Sequence, residues 1–383
     1  MEQFISKLRK SNIDIDVVDG QLNLKVPDDF DATEIIAEIR ENKEKLISFI
    51  NAVKNENQFK IIEPAAVQPY YQLSPAQKRM WFLYEFDKQS LTYNMPQVVR
   101  LTGNLNIERL QYAFNSLIHR HESLRTSFSV EDGEPVQKIT ETVDFKIAFY
   151  EGSEEEAQNI IDQFVRPFEL DKAPLMRAGI MKLAENECLL MVDMHHIITD
   201  GVSQGILVSD FMSFYNDTTL PKIPLQYKDY TEWQNQKAQQ NAIAKQKAFW
   251  LEQFTGELPV LDLPTDFTRP SLFRNDGGVV YFSIDKEQTQ ALKSLAEAQG
   301  TTLFMVILSI YNVLLSKLTN QEDIVIGTPI AGRHHADLHQ IIGLFVNTIA
   351  LRNYPKGTLT FAGFLDAVKQ VTLSSFDNQL YPY

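Results

Sequence analysis

A single cysteine, Cys188, is all the thiol this chain has, so an internal disulfide and a multi-thiolate zinc site are both excluded. Positive charge is also scarce: 36 Lys and Arg stand against 50 Asp and Glu, for a net charge of −14. Binding to a phosphate backbone depends on clustered cations, so a nucleic-acid role is a poor match. Long apolar runs are missing. No stretch reaches the ~20 apolar residues of a membrane span. The opening MEQFISKLRKSNIDID lacks the apolar run of a signal peptide, which leaves a cytoplasmic protein as the expectation. There is no internal repeat and no low-complexity tract. What is present is 44% hydrophobic residues over 383 positions, enough for two or three packed domains.

Residues 1–56 read as a small separate module without His or Cys. Phe4, Ile5 and Leu8 share one side of a short helix. Ile13, Ile15 and Val17 alternate with polar residues, as do Leu22, Leu24 and Val26 after Asp19-Gly20. Period-two alternation around Asp-Gly predicts a hairpin, because a tight primed turn needs positive φ. Asp31 with Glu34 resembles a capping box, followed by Ile35, Ile36, Ile39, Leu46, Ile47 and Ile50 at helical spacing. The module is therefore αββα(α). Residues 57–72 read as a linker, 73–260 as a first α/β lobe, the doubly proline-interrupted LDLPTDFTRP at 261–270 as a second linker, and 271–383 as a second lobe. Helices are predicted at 75–86, 107–121, 286–299 and 302–318, with a further one after Gly201. Strands are predicted at 98–101, 126–130, 188–194, 279–284 and 323–330.

The stretch MHHIITDGVS, Met194 to Ser203, places His195, His196, Asp200 and Gly201 where a buried strand passes into a helix. Such junctions leave polar groups at a layer edge, where clefts form. Three readings stand. Asp200 caps a helix and the histidines are ordinary core or surface residues. Or His196 and Asp200, four apart, bind a metal, although zinc wants a third protein ligand and no HExxH or cysteine cluster supplies one. Or a neutral imidazole accepts a proton while its neighbours fix its orientation, and glycine lets a substrate approach the backbone closely.

MHHIITDGVS resembles the HHxxxDG motif of the condensation domains of nonribosomal peptide synthetases. LSPAQKRMWFL (Leu73 to Leu83), RHESLRTSF (Arg120 to Phe128), YKDYTEW (Tyr227 to Trp233), IGLFVNTIALR (Ile342 to Arg352) and NQLYPY (Asn378 to Tyr383) resemble the family's other motifs, in the family's order. The αββα(α) module resembles the tubulysin-type N-terminal docking domain of synthetase subunits.

The resemblance implies an α+β fold, two chloramphenicol-acetyltransferase-like lobes forming a V, crossed at LDLPTDFTRP. It implies an acyltransferase for antibiotic-type secondary metabolism, joining a donor aminoacyl or peptidyl thioester to the amine of an acceptor aminoacyl thioester. A non-enzymatic docking scaffold and a stand-alone acyltransferase of the same fold are the alternatives. His196 matches the residue nearest the reacting amine; His195 orients or packs, and the Gly201 amide lies near the developing oxyanion. Asp200 is expected to pair with an arginine, with Arg125 as the candidate, and Asn347 to line the tunnel. His334 and His335 are expected to face solvent. No Gly-Gly-x-Ser motif occurs and no adenylation motif is seen, so no cofactor is bound covalently. Both substrates come on the phosphopantetheine arms of upstream and downstream carrier domains, with an adenylation domain in the same synthetase. Lys25, Arg40, Lys43 and Lys45 of the docking module are expected to meet an acidic C-terminal tail of an upstream subunit. Histidines rather than aspartates, and Gln204 rather than tryptophan, point to ordinary condensation, with RHESLRTSF leaning to L substrates. Set against the family pattern, the chain stops inside the sixth motif, which makes the second lobe incomplete.

Overall fold

A computed structural model describes residues 14–18, 21–25, 39, 42–43, 46–47, 62–268 and 277–381. The chain forms two compact units, Met1–Ile62 and Glu63–Tyr383. In the first, β1 (Asp14–Val18) pairs antiparallel with β2 (Gln21–Lys25), Val18 facing Gln21, so two residues connect them as the Asp-Gly pattern predicts. The helix expected around Phe4 lies outside the described residues, as does most of the one after Asp31.

The second unit is α+β. Its four-stranded sheet runs β4 (Gln97–Thr102), β9 (Glu187–Met194), β8 (Met176–Ala184), β7 (Ala148–Glu151), antiparallel except for the β7–β8 edge. The helices α2 (Ile107–Arg120) and α4 (Gly201–Tyr215) pack on each other, with Phe114 and Phe211 ring centroids 4.8 Å apart. Helix α3 (Ala157–Phe164) seats Phe164 with Met181, Leu189 and Met191. A second sheet runs β3 (Tyr71–Gln72), β6 (Glu134–Ile139), β5 (Thr126–Glu131). Helix α1 (Pro75–Phe86) starts at Ser74 with a full capping box to Gln77 and Pro75 in its first turn, which is why its start is readable from LSPAQ.

Helix α5 (Tyr227–Asn235) buries Tyr227, Tyr230 and Trp233. Helix α6 (Lys237–Gln253) carries Trp250 into a core with Leu308, Ile349, Leu351, Phe364 and Val368. These come from α8 (Leu303–Thr319), β11 (Asn347–Asn353) and α9 (Phe361–Asp377); β11 pairs antiparallel with β10 (Ile324–Ile330), and α7 (Lys286–Ala298) packs beside α8. The strand expected at 279–284 does not form. Val279, Val280, Tyr281 and Phe282 are exposed and extend no ladder among the described residues. Strand propensity needs a pairing edge to act on.

Candidate active site

Strand β9 ends at Met194, and three backbone bonds hold the segment beyond it. Met95 donates to the Met194 carbonyl at 2.8 Å, His195 N–H to Leu175 at 3.0 Å, and His196 N–H to Tyr93 at 2.8 Å. The two histidines therefore diverge. His195 is buried between the rings of Tyr93 and Phe168, and its Nδ1 accepts from the Ile197 amide at 3.1 Å. Burial, with His196 adding a smaller push, holds its pKa at about 3, so it is neutral throughout the ordinary range. His196 is half-buried, and its Nδ1 lies 2.7 Å from the Thr199 carbonyl. A carbonyl only accepts, so Nδ1 carries the proton in the neutral ring and Nε2 presents the lone pair. Nε2 has no hydrogen-bond partner among the described residues.

Asp200 caps α4, and its neighbour Gly201 is exposed with open space where a Cβ would stand. As the first residue of the helix, Gly201 keeps an amide that the helix itself cannot satisfy, at the positive end of the dipole. The residue thus offers bare, open backbone at the start of α4.

The expected pairing of Asp200 with Arg125 does not occur. Arg125 donates to the Thr140 carbonyl at 2.7 Å and lies 3.7 Å from Glu122. Asp200 is instead clasped by Arg333, whose Nη2 is 3.1 Å from Oδ1, both side chains being almost wholly buried. Arg333 also donates through Nη1 to Leu338 and Ile341 carbonyls at 2.5 and 2.6 Å, and its guanidinium lies 4.1 Å over the Phe345 ring. The chain reaches this place through Gly332, at φ +65°, where a Cβ would fall 1.9 Å from the Phe345 carbonyl oxygen. Only glycine fits such a turn. The one signal for Arg333 in the sequence is a Gly-Arg step just after a strand, masked by the two histidines next to it. Those histidines do not face solvent either: His335 is buried, and His334 is half-buried, stacked on Trp233 with ring centroids 5.7 Å apart.

The same corner joins the two lobes. The second Asp200 oxygen accepts from the Phe345 amide at 2.9 Å, Ser123 Oγ donates to Ile342 at 2.6 Å, and Tyr227 donates to Leu344 at 2.5 Å. Gly343 admits the Tyr227 ring, since a Cβ there would lie 1.9 Å from it. The RHESLRTSF stretch thus works through Ser123 rather than Arg125. Its Arg120 and His121 hold Asp210 of α4 at 2.8 and 2.9 Å. Asn347 donates both amide hydrogens to the carbonyls of Gln379 and Tyr381, at 3.1 Å each, and fastens the NQLYPY segment. In the small unit, Lys43 is exposed and Lys25 ends β2, while Arg40 and Lys45 lie outside the described residues. Among the described residues no His, Cys, Asp and Glu cluster has metal-binding geometry. No single described helix is long and apolar enough to cross a membrane.

Burial also lowers the His334 pKa to about 4. His195 and His334 thus bind protons more weakly folded than unfolded, where histidine titrates near 6.5. Their contribution to stability is therefore full above pH 6.5 and is lost as the pH falls towards 4, by on the order of 1.4 kcal/mol for each unit of pKa depression. Thermal melts at pH 7.5 and 4.5 should differ accordingly. His334→Gln should flatten that dependence; an equally steep fall in this variant would contradict the assignment.

The polar motif thus stands at a strand-to-helix junction, braced by a buried ion pair to the far lobe. The condensation domain model matches residues 67–383. Gramicidin S synthase 2 of Aneurinibacillus migulanus is 48% identical over 322 residues, 84% of this chain and 7% of the relative. Bacitracin synthase 2 of Bacillus licheniformis is 44% identical over 382 residues, 99% of this chain and 15% of the relative, so that match includes the small N-terminal unit. The X-domain from teicoplanin biosynthesis, in complex with OxyB, superposes with a TM-score of 0.77 at 22% identity, covering 85% of this chain and 74% of that one. The first condensation domain of the CDA synthetase gives 0.69 at 19%, covering 83% and 78%. The chain belongs to the condensation-domain family of nonribosomal peptide synthetases, and it spans 7 and 15% of the length of these two curated relatives. Condensation domains of these synthetases form amide bonds.

Proposed function

We propose that this chain joins a donor aminoacyl or peptidyl thioester to the amine of an acceptor aminoacyl thioester. The observation that carries the reading is His196: a half-buried imidazole, held by Thr199 with Nε2 free, five residues before the open Gly201 backbone in the same segment. The acceptor nitrogen attacks the donor carbonyl carbon, and the C–N bond forms as the C–S bond breaks. Nε2 takes the proton that the nitrogen sheds, and the departing carrier thiolate is protonated in turn. The Gly201 amide faces the oxyanion. His195, neutral and enclosed, packs behind this loop. Both thioesters arrive on phosphopantetheine arms of partner carrier domains, so the protein needs no cofactor bound covalently to itself. Incubation with two loaded carrier domains, followed by mass spectrometry of the acceptor arm, tests this. An amide product is expected; binding of both carriers without product would make the chain a scaffold, and transfer to a free amine alone would make it a stand-alone acyltransferase.

The small N-terminal unit is a docking module in this reading. The bacitracin synthase 2 match through it and the β1–β2 hairpin support that role. Its partner is an acidic C-terminal tail of an upstream subunit, added as a strand and met by Lys25, Arg40, Lys43 and Lys45. Lys25→Glu should weaken binding of an acidic tail peptide in a salt-dependent manner. Unchanged affinity would remove Lys25 from the interface.

A further inference from the structure

Ser203 stands in the first turn of α4 and is fully buried. Its hydroxyl oxygen lies 2.8 Å from Asp200 Oδ1, 2.8 Å from Arg333 Nη2, 3.2 Å from the Gly343 amide nitrogen and 3.1 Å from the Gly343 carbonyl oxygen. A hydroxyl donates once and accepts twice. Arg333 and Gly343 N–H fill its acceptor sites, and its one hydrogen serves either Asp200 or the Gly343 carbonyl. No other side chain of the MHHIITDGVS stretch touches the helix-capping carboxylate, the cation from the far lobe and the far backbone together.

The consequence lies four residues upstream. Thr199, which holds His196 Nδ1, is bonded covalently to Asp200 and is itself fully buried. The segment that fixes the proton on the imidazole is therefore the segment that grips the second lobe. Any slack at the grip moves the Thr199 carbonyl, and a carbonyl that moves away no longer requires the proton to sit on Nδ1.

We propose that Ser203 is a positioning residue whose hydroxyl, by tying Asp200 to Arg333 and Gly343, keeps the Thr199 carbonyl on His196 Nδ1 and so keeps Nε2 free for the acceptor amine. The proposal rests on the condensing role given to His196. Asp200 and Arg333 alone form the ion pair, but two charged groups tolerate several relative placements; the neutral three-bond junction selects one.

The test uses the whole chain with ¹⁵N-labelled histidine. Two-bond ¹H–¹⁵N correlation at pH 8 reads which ring nitrogen is protonated, with His196→Asn assigning the signal. Wild type should show the Nδ1–H tautomer of His196. Ser203→Ala should mix in the Nε2–H form and lower kcat roughly 10- to 100-fold with KM for both loaded carriers little changed, the scale expected for a small misplacement of a catalytic group. Ser203→Thr, which keeps the hydroxyl, should restore both readouts towards wild type. Should Ser203→Ala not fold, Ser203→Cys carries the same expectations, because a thiol is a far weaker hydrogen-bonding group. A wild-type tautomer pattern in folded Ser203→Ala or Ser203→Cys would overturn the proposal, as would equal impairment in the threonine variant. If the wild-type chain makes no amide at all, the condensing role fails, while the tautomer comparison still decides what Ser203 does.

Discussion

His196→Ala is expected to lower amide formation by ~10²–10⁴ while leaving the unit folded, the range typical of a lost general base. The ring is half-buried and bonds to the Thr199 carbonyl, so its removal leaves the hydrophobic clusters around Phe164 and Trp250 intact. The size of the effect depends on what the imidazole supplies. An α-amino group has a pKa of about 7.7–8.0, so roughly a tenth or more is already neutral near pH 7. Deprotonating the ground state is therefore not the hard step; accepting the proton as the C–N bond forms is. His196→Asn separates the two contributions, because its amide can still donate to Thr199 but offers no basic nitrogen. Single-turnover rates from pre-loaded carriers measure this. Equal losses in both variants assign proton transfer, and a rate largely retained in the asparagine variant assigns orientation. Wild-type turnover in His196→Ala would remove the residue from the mechanism.

Arg333→Met is expected to cost about 3–5 kcal/mol of stability, because it leaves the Asp200 carboxylate buried without its cation. The Ser203 and Phe345 donors to Asp200 remain, so the carboxylate keeps part of its solvation. Asp200→Ala strands the guanidinium instead. It should lose stability by a similar amount and activity as well, since Asp200 both caps α4 and sets the Thr199 carbonyl. Denaturant unfolding measures both, and the double variant closes a cycle whose coupling term should be large for groups in one network. Replacing the pair outright costs less than breaking it, so the double variant should be less destabilised than the sum of the singles. A melt for Asp200→Ala that matches wild type would contradict the bracing role. Arg125→Met should be mild by comparison. That arginine is only partly enclosed, and its two partners are a backbone carbonyl and a neighbouring carboxylate.

Local chemistry determined much of this protein. The capping box at Ser74 and Gln77, the Asp-Gly hairpin signal and the apolar CLLMVDM run each depend on neighbours within a few residues, and each took the form its residues dictate. The order of the motifs was enough to indicate the family, and the HHxxxDG match put His196 and Gly201 at the junction of β9 and α4. Tertiary structure alone chose the partner of Asp200. Arg125 and Arg333 are both plausible cations by sequence, and nothing within 133 positions favours the more distant one. The choice was made by a left-handed turn at Gly332 and by the Phe345 ring beneath the guanidinium, which enclose Arg333 while Arg125 is occupied at Thr140. The burial of His334 and His335 against Trp233 was hidden for the same reason, and so was the extended backbone at 279–284, whose strand-forming residues have no ladder to join among the described residues. Periodicity reports which face of an element is apolar; it does not report which distant loop covers a charge, because that depends on where two lobes meet.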